Sequence, residues 1–168
     1  MSETTPAPSD AQTIPPLVVN IQYVKDLSFE VPGAPGIYTS LRNPPQVQIN
    51  LDVQARPLQE GGNVYEVVLV IKAEATEAAG SNGAGTDGRS VFIAELSYGG
   101  VFTLNGLPPD TVEPVLLVEC PRLLFPYARN ILADVTRDGG FQPVLLQPID
   151  FVSLWQSRRA AAQPVANA

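Results

Sequence analysis

From Leu17 the chain alternates between apolar and polar positions. Leu17, Val19, Ile21 and Tyr23, then Leu27, Phe29 and Val31, take one parity, and Asn20, Gln22, Asp26, Ser28 and Glu30 take the other. A strand sends successive side chains to opposite faces, so this period of two predicts a half-buried strand with an acidic outer face. After a loop rich in Pro and Gly the alternation returns. Val47, Ile49, Leu51, Val53 and Ala55 read as inward, and Gln46, Gln48, Asn50, Asp52 and Gln54 as outward. The turn Glu60-Gly61-Gly62-Asn63 leads into a third strand over 64–76, and a fourth runs from Arg89 to Leu104. Gly99-Gly100 inside that fourth strand suggests a bulge or a close approach of another backbone. No crossover helix separates the four segments, which favours an antiparallel sheet.

The period then changes. Pro108-Pro109-Asp110-Thr111 suits a helix start, Leu116, Cys120, Leu123, Tyr127 and Ile131 recur at helical spacing, and Gly139-Gly140 ends the run. Residues 141–148 form an apolar, proline-extended loop, and Ile149 to about Ala162 predict a last short helix. The fold class is α+β, a four-stranded antiparallel sheet followed by two C-terminal helices. Residues 1–16 and 163–168 are expected to be disordered tails around a single domain over 17–162.

Composition narrows the chemistry. The 168 residues carry 10 Lys+Arg against 17 Asp+Glu, a formal net charge of −7. Binding to phosphate backbones rests on Lys and Arg, so nucleic acid is not an expected partner. Histidine is absent, which excludes Cys–His and Ser–His dyads and every His-containing metal site. One cysteine cannot make an internal disulfide, which fits a reducing compartment. MSETTPAPSDAQ has neither the basic nor the apolar region of a signal peptide, and no apolar run reaches a membrane span. The expectation is a soluble, cytoplasmic protein with no membrane insertion, no bound metal and no cofactor.

Four features could carry function. Gly83-Ala-Gly85-Thr-Asp-Gly88 fits GxGxxG, but a strand follows it where a dinucleotide site requires a helix, so it reads as a hairpin linker. Cys120 could be a nucleophile, yet it has no base and lies on an apolar stripe, where it reads as a small buried hydrophobe. Asp26 and Glu30 could form an acid–base pair, but four residues of strand hold them roughly 13 Å apart. They read either as a solvated sheet face or as an acidic docking face for a basic partner, which Glu95 could join. Finally, Ile37, Tyr38 and Leu41 in one loop and Phe141, Val144, Leu145 and Leu146 in another are apolar where loops are usually polar. They read either as satellite core or as an apolar groove for extended polypeptide. A hydrolase or thiol enzyme, and a polypeptide-binding adaptor without an export role, are the competing classes.

Several stretches together resemble the SecB family of bacterial export chaperones: YVKDLSFEVPGAP (23–35), VYEVVL (64–69), AELSYGGVFTLNGL (94–107), CPRLLFPYAR (120–129) and GGFQPVLLQPIDF (139–151). They occur in the family's order and span most of residues 20–155. The resemblance implies a cytoplasmic homotetramer, a dimer of dimers, that holds unfolded precursor proteins without ATP and passes them to the SecA motor. It assigns the SecA-binding face to Asp26, Glu30, Ile93 and Glu95, with zinc belonging to SecA. It assigns the contact between dimers to Ala94, Leu96 and Tyr98, and the substrate groove to the two apolar loops. The first loop, APGIYTSLRNPP, has no tryptophan, unlike well-known members, and the tail RRAAAQPVANA lacks the acidic character of some relatives.

Overall fold

The computed structural model describes residues 14–77 and 88–162. Four long strands, β1 (Leu17–Glu30), β2 (Gln46–Pro57), β3 (Val64–Glu77) and β4 (Arg89–Leu104), form one antiparallel sheet in the order β1-β4-β3-β2. The β2–β3 turn uses Gly61 at φ +70°, a conformation that disfavours side chains. The linker read at 83–88 lies outside the described residues apart from Gly88, as do residues 1–13 and 163–168 of the tails. At the inner end of the N-terminal tail the structure differs from the expectation of disorder. The Asn105 amide groups donate to the carbonyls of Pro15 and Pro16 at 3.0 and 2.8 Å, tying these residues to the end of β4.

The inward parity read for β2 is the parity observed, and its partners Val67, Leu69, Ile71 and Ala73 on β3 and Phe92, Ala94, Leu96, Tyr98 and Phe102 on β4 share the buried side. In β1 it fails over one stretch. Register shifts between Val19 and Ile21 and between Val24 and Asp26 insert two bulges. Each bulge turns the following side chains over. Ile21 and Tyr23, expected inside, therefore lie on the outer face, and Gln22 and Val24 turn inward; the second bulge restores Leu27 and Phe29 to the inner side. Gly99-Gly100 does not interrupt β4, and what approaches the pair closely is side chains rather than another backbone. A Cβ at Gly100 would lie 2.9 Å from Leu124 Cδ2, so the helix above rests almost on the strand's backbone.

That helix layer covers only the inner face. A single turn, α1 (Ile37–Ser40), lies in the first loop, which the sequence reads as irregular. After β4, α2 (Pro109–Pro114) runs through a π-helical stretch (Val115–Glu119) into α3 (Cys120–Asp138), and α4 (Phe151–Ala162) follows. The Cys120 N–H bonds to the Val115 carbonyl, five residues back. The wider turn leaves Pro121 in the first turn of α3, where its missing N–H costs least. Pro126 remains inside the helix. The buried line along α3 is Cys120, Leu124, Ala128, Leu132 and Thr136, whereas Leu123 and Tyr127 are 41% and 53% exposed. This corrects the expected stripe. Helix α4 begins at Phe151, two residues later than expected, because the Asp150 carboxylate accepts from the Ser153 N–H at 3.0 Å and caps it.

The main core lies between the sheet and α3. A satellite cluster of Ile37, Ala75, Val91 and Phe92, joined by Phe29, Val31, Leu41, Phe141 and Val144, closes one end of the sheet beneath the two apolar loops.

Candidate functional site

The two apolar loops meet over that satellite cluster. Phe141 stacks on Tyr38 with centroids 5.4 Å apart and lies 5.0 Å from the ring of Phe92, while Phe29 and Phe92 are 5.5 Å apart. The meeting point is fixed by the end of α3. Gly140 takes φ +86°, and a side chain on Gly139 would overlap the Phe29 ring. The Tyr38 hydroxyl donates to the Gly139 carbonyl at 2.8 Å, and the Val144 N–H donates to the buried Thr136 hydroxyl oxygen at 3.0 Å. Both loops are thus tied to the same helix terminus.

Between them runs an open groove of about 960 Å³. Leu41, Phe141, Val144 and Leu145 line it, together with Leu146. Two other residues expected in the groove stand elsewhere. Ile37 fills the satellite core, because its side chain points down from the single turn of α1, and it does not line the groove. Tyr38 is exposed but stands behind Phe141 rather than on the wall. Sequence reading missed Val47, Ile49 and Phe92, which complete the wall with Pro44, Pro45, Pro143 and Pro148. Val47 and Ile49 have the inward parity, but the helix layer does not reach that end of β2. The signal was in the string: two apolar inward positions beside a proline-rich loop. Among the described residues, Arg42 is the one charged side chain that lines the groove.

Among the described residues, no helix lies on the outer face of the sheet. Register sets Glu30 opposite Ile93, Ser28 opposite Glu95 and Asp26 opposite Ser97. Asp26, Glu30, Ile93 and Glu95 therefore occupy one patch. Sequence reading missed two neighbours on β3: Glu74 faces Ile93, and Lys72 faces Glu95. Further along, Glu66 is nearly buried among Tyr23, Lys25 and Arg56. The Tyr23 hydroxyl and the Lys25 ammonium (2.9 Å) both donate to its Oε1, and the Arg56 Nε donates to its Oε2 at 2.6 Å. These donors, led by Tyr23 and Lys25, outweigh burial and hold the Glu66 carboxyl down at about 2. Burial and then the Glu66 contact push Tyr23 up to about 12. The cluster exists because the first β1 bulge brings Tyr23 to the outer face.

Ala94, Leu96 and Tyr98 lie on the inner side of β4, beneath α3, and are 0%, 1% and 7% exposed. In this subunit they are core, and the Tyr98 ring stacks beneath the exposed Tyr127 at 6.2 Å. Within the single chain their side chains present little surface. Cys120 is fully buried, and burial, with the Glu119 charge second, pushes its thiol up to about 12. A thiol held that high is protonated at neutral pH and is no nucleophile. No helix among the described residues is long and apolar enough to cross a membrane.

A family model described as preprotein translocase subunit SecB matches residues 10–162. A protein-export protein SecB from Granulibacter bethesdensis is 68% identical over 158 residues, covering 94% of this chain and 90% of the relative. One from Acidiphilium cryptum is 65% identical, covering 92% of this chain and 97% of the relative. Among solved structures, a Mycobacterium tuberculosis SecB-like chaperone in complex with a ChAD peptide from an antitoxin aligns with TM-score 0.62 at 12% identity, covering 80% of this chain and 91% of that one. That likeness concerns the fold.

Proposed function

The chain belongs to the SecB family of protein-export proteins, and from that premise we propose that it is an ATP-independent holdase. It binds unfolded precursor polypeptides in the groove, keeps them competent for translocation and delivers them to SecA through the acidic sheet face. One observation carries this reading: a single subunit separates an apolar groove from an acidic patch by strand parity alone, with Phe92 on one side of β4 and Ile93 and Glu95 on the other. Family members are chaperones rather than enzymes, and the protonated, buried Cys120 supports that assignment here.

Burial of apolar side chains contributes about 25 cal/mol per Å², offset by the ordering of the bound chain. One groove per subunit is therefore weak, and several grooves acting on one extended client supply the affinity through effective concentration. Assembly as a homotetramer, a dimer of dimers, provides them. Two features support assembly. Strand β1 is a sheet edge, uncovered among the described residues. Beside it Val19, Val24 and Leu27 are exposed on the inner side, next to Leu123 and Tyr127 of α3. Ala94, Leu96 and Tyr98 act on this contact by seating α3. The protein works in the cytoplasm, with neither nucleic acid nor membrane insertion and without a cofactor.

Light scattering of an aggregating precursor tests the holdase: stoichiometric protein suppresses it, and unchanged scattering would sink the reading. A SecA pull-down with Asp26→Ala/Glu30→Ala tests delivery, with binding lost while suppression of aggregation persists. Charge pairs are screened by salt whereas apolar burial is not. SecA binding accordingly weakens between low and high salt more than client binding does.

A further inference from the structure

The acidic patch holds one cation of its own. Lys72 stands opposite Glu95 across β3 and β4, and its ammonium lies 3.3 Å from Glu95 Oε1 and 2.8 Å from Glu74 Oε1. All three side chains are partly exposed, at 41%, 48% and 39%. The two carboxylates raise the Lys72 pKa, Glu74 foremost, so the ammonium stays charged. The other cations on this face, Lys25 and Arg56, are engaged by Glu66 at the far end. Asp26 and Glu30, by contrast, make no salt bridge among the described residues. Within the patch assigned to SecA, Glu95 is thus already paired in the free protein, and its competitor sits on a two-armed perch.

We propose that Lys72 is an internal counter-ion that sets the strength and salt response of partner docking, occupying Glu95 in the free protein and withdrawing onto Glu74 when a partner cation takes its place. This rests on the reading that Asp26, Glu30, Ile93 and Glu95 receive SecA. The geometry suits an exchange rather than a gap. Glu74 is the nearer partner of Lys72, so releasing Glu95 leaves the ammonium paired. The Lys72–Glu95 contact is exposed and correspondingly weak, and its loss on docking weakens the partner by up to about fivefold. Lys72 is a specificity residue in this account: it penalises partners with too little positive charge to displace it.

The test is titration of full-length SecA into the full-length protein at low and high salt. Lys72→Gln is expected to bind about two- to fivefold tighter at low salt, with the advantage fading at high salt. Arg122→Gln removes the same charge from α3, where among the described residues it makes a salt bridge with Glu119, and should leave affinity within about twofold. In a Glu95→Gln background, Lys72→Gln should add nothing further. Unchanged or weaker binding by Lys72→Gln, an equal gain in Arg122→Gln, or an undiminished gain without Glu95 would overturn the proposal. Glu95→Gln and Asp26→Ala/Glu30→Ala separate the two levels. If neither weakens SecA binding, the assignment of the face falls; if both do while Lys72→Gln changes nothing, only the role of Lys72 falls.

Discussion

Thr136 holds Val144. The side-chain hydroxyl, fully buried in the last turn of α3, accepts the Val144 N–H at 3.0 Å and donates to the Leu132 carbonyl at 2.9 Å. One hydroxyl thus fixes the wall of the groove to the helix beneath it. Thr136→Val keeps the volume and strands the amide. An unpaired buried donor costs about 1–3 kcal/mol. Urea unfolding should show a loss of that size, hydrogen exchange at Val144 should quicken, and binding of unfolded polypeptide should weaken.

The Glu66 cluster makes stability depend on acid. In the folded chain this carboxyl titrates at about 2, against 4.5 for a free glutamate. Between those values the unfolded chain takes up a proton that the folded chain refuses. The contribution is therefore whole above about pH 4.5 and is lost as pH falls towards 2. Tyr23 acts on the opposite flank: its folded value of about 12 lies above the usual 10, so its contribution is whole below pH 10 and is lost as pH rises through 12. Glu66→Gln should flatten the acid limb of a stability–pH curve measured by denaturant. At pH 7 it should cost about 1–3 kcal/mol, the loss of charge-assisted bonds. A wild-type acid limb would show that the cluster contributes nothing to the pH dependence.

Gly100 sets the distance between α3 and the sheet. A methyl there would lie 2.7 Å from Phe102 Cε2 and 2.9 Å from Leu124 Cδ2, both in fully buried side chains without room to move. Gly100→Ala overpacks the core, at a cost of about 1–3 kcal/mol. Because Tyr127 rides on the same helix, displacement of α3 should also loosen the tetramer proposed above. Denaturant titration and sedimentation together read both effects.

Cys120 should be silent. Its thiol is buried and protonated at neutral pH, so a colourless disulfide reagent such as Ellman's should label it only after unfolding. Cys120→Ala should suppress aggregation as well as the parent does. Rapid labelling of the native protein would contradict the buried site.

Much of this architecture was legible because strands announce themselves by parity. The alternation in β2 named its inner and outer sides correctly, and that in β1 put Asp26 and Glu30 on the outer one, where strand register adds Ile93 and Glu95. Where reading failed, the string held two solutions. On α3 the apolar residues come as adjacent pairs, Leu123-Leu124, Tyr127-Ala128 and Ile131-Leu132, so helical spacing fits either member. Contact with Gly100 selects Leu124 and turns Leu123 and Tyr127 outward. In β1, bulges leave no mark on alternation until the partner strand is seen.

By itself the sequence determined the sheet, the order of elements, the acidic outer face and the absence of histidine chemistry, since these depend on local periodicity and composition. Only the tertiary structure decided three further things: that Val47, Ile49 and Phe92 join the two loops in one groove, that Tyr23 turns out to enclose Glu66, and that Lys72 stands beside Glu95. Each depends on strand register and on how far the helix layer reaches. Those are set by contacts between residues distant in the chain, which no local pattern records.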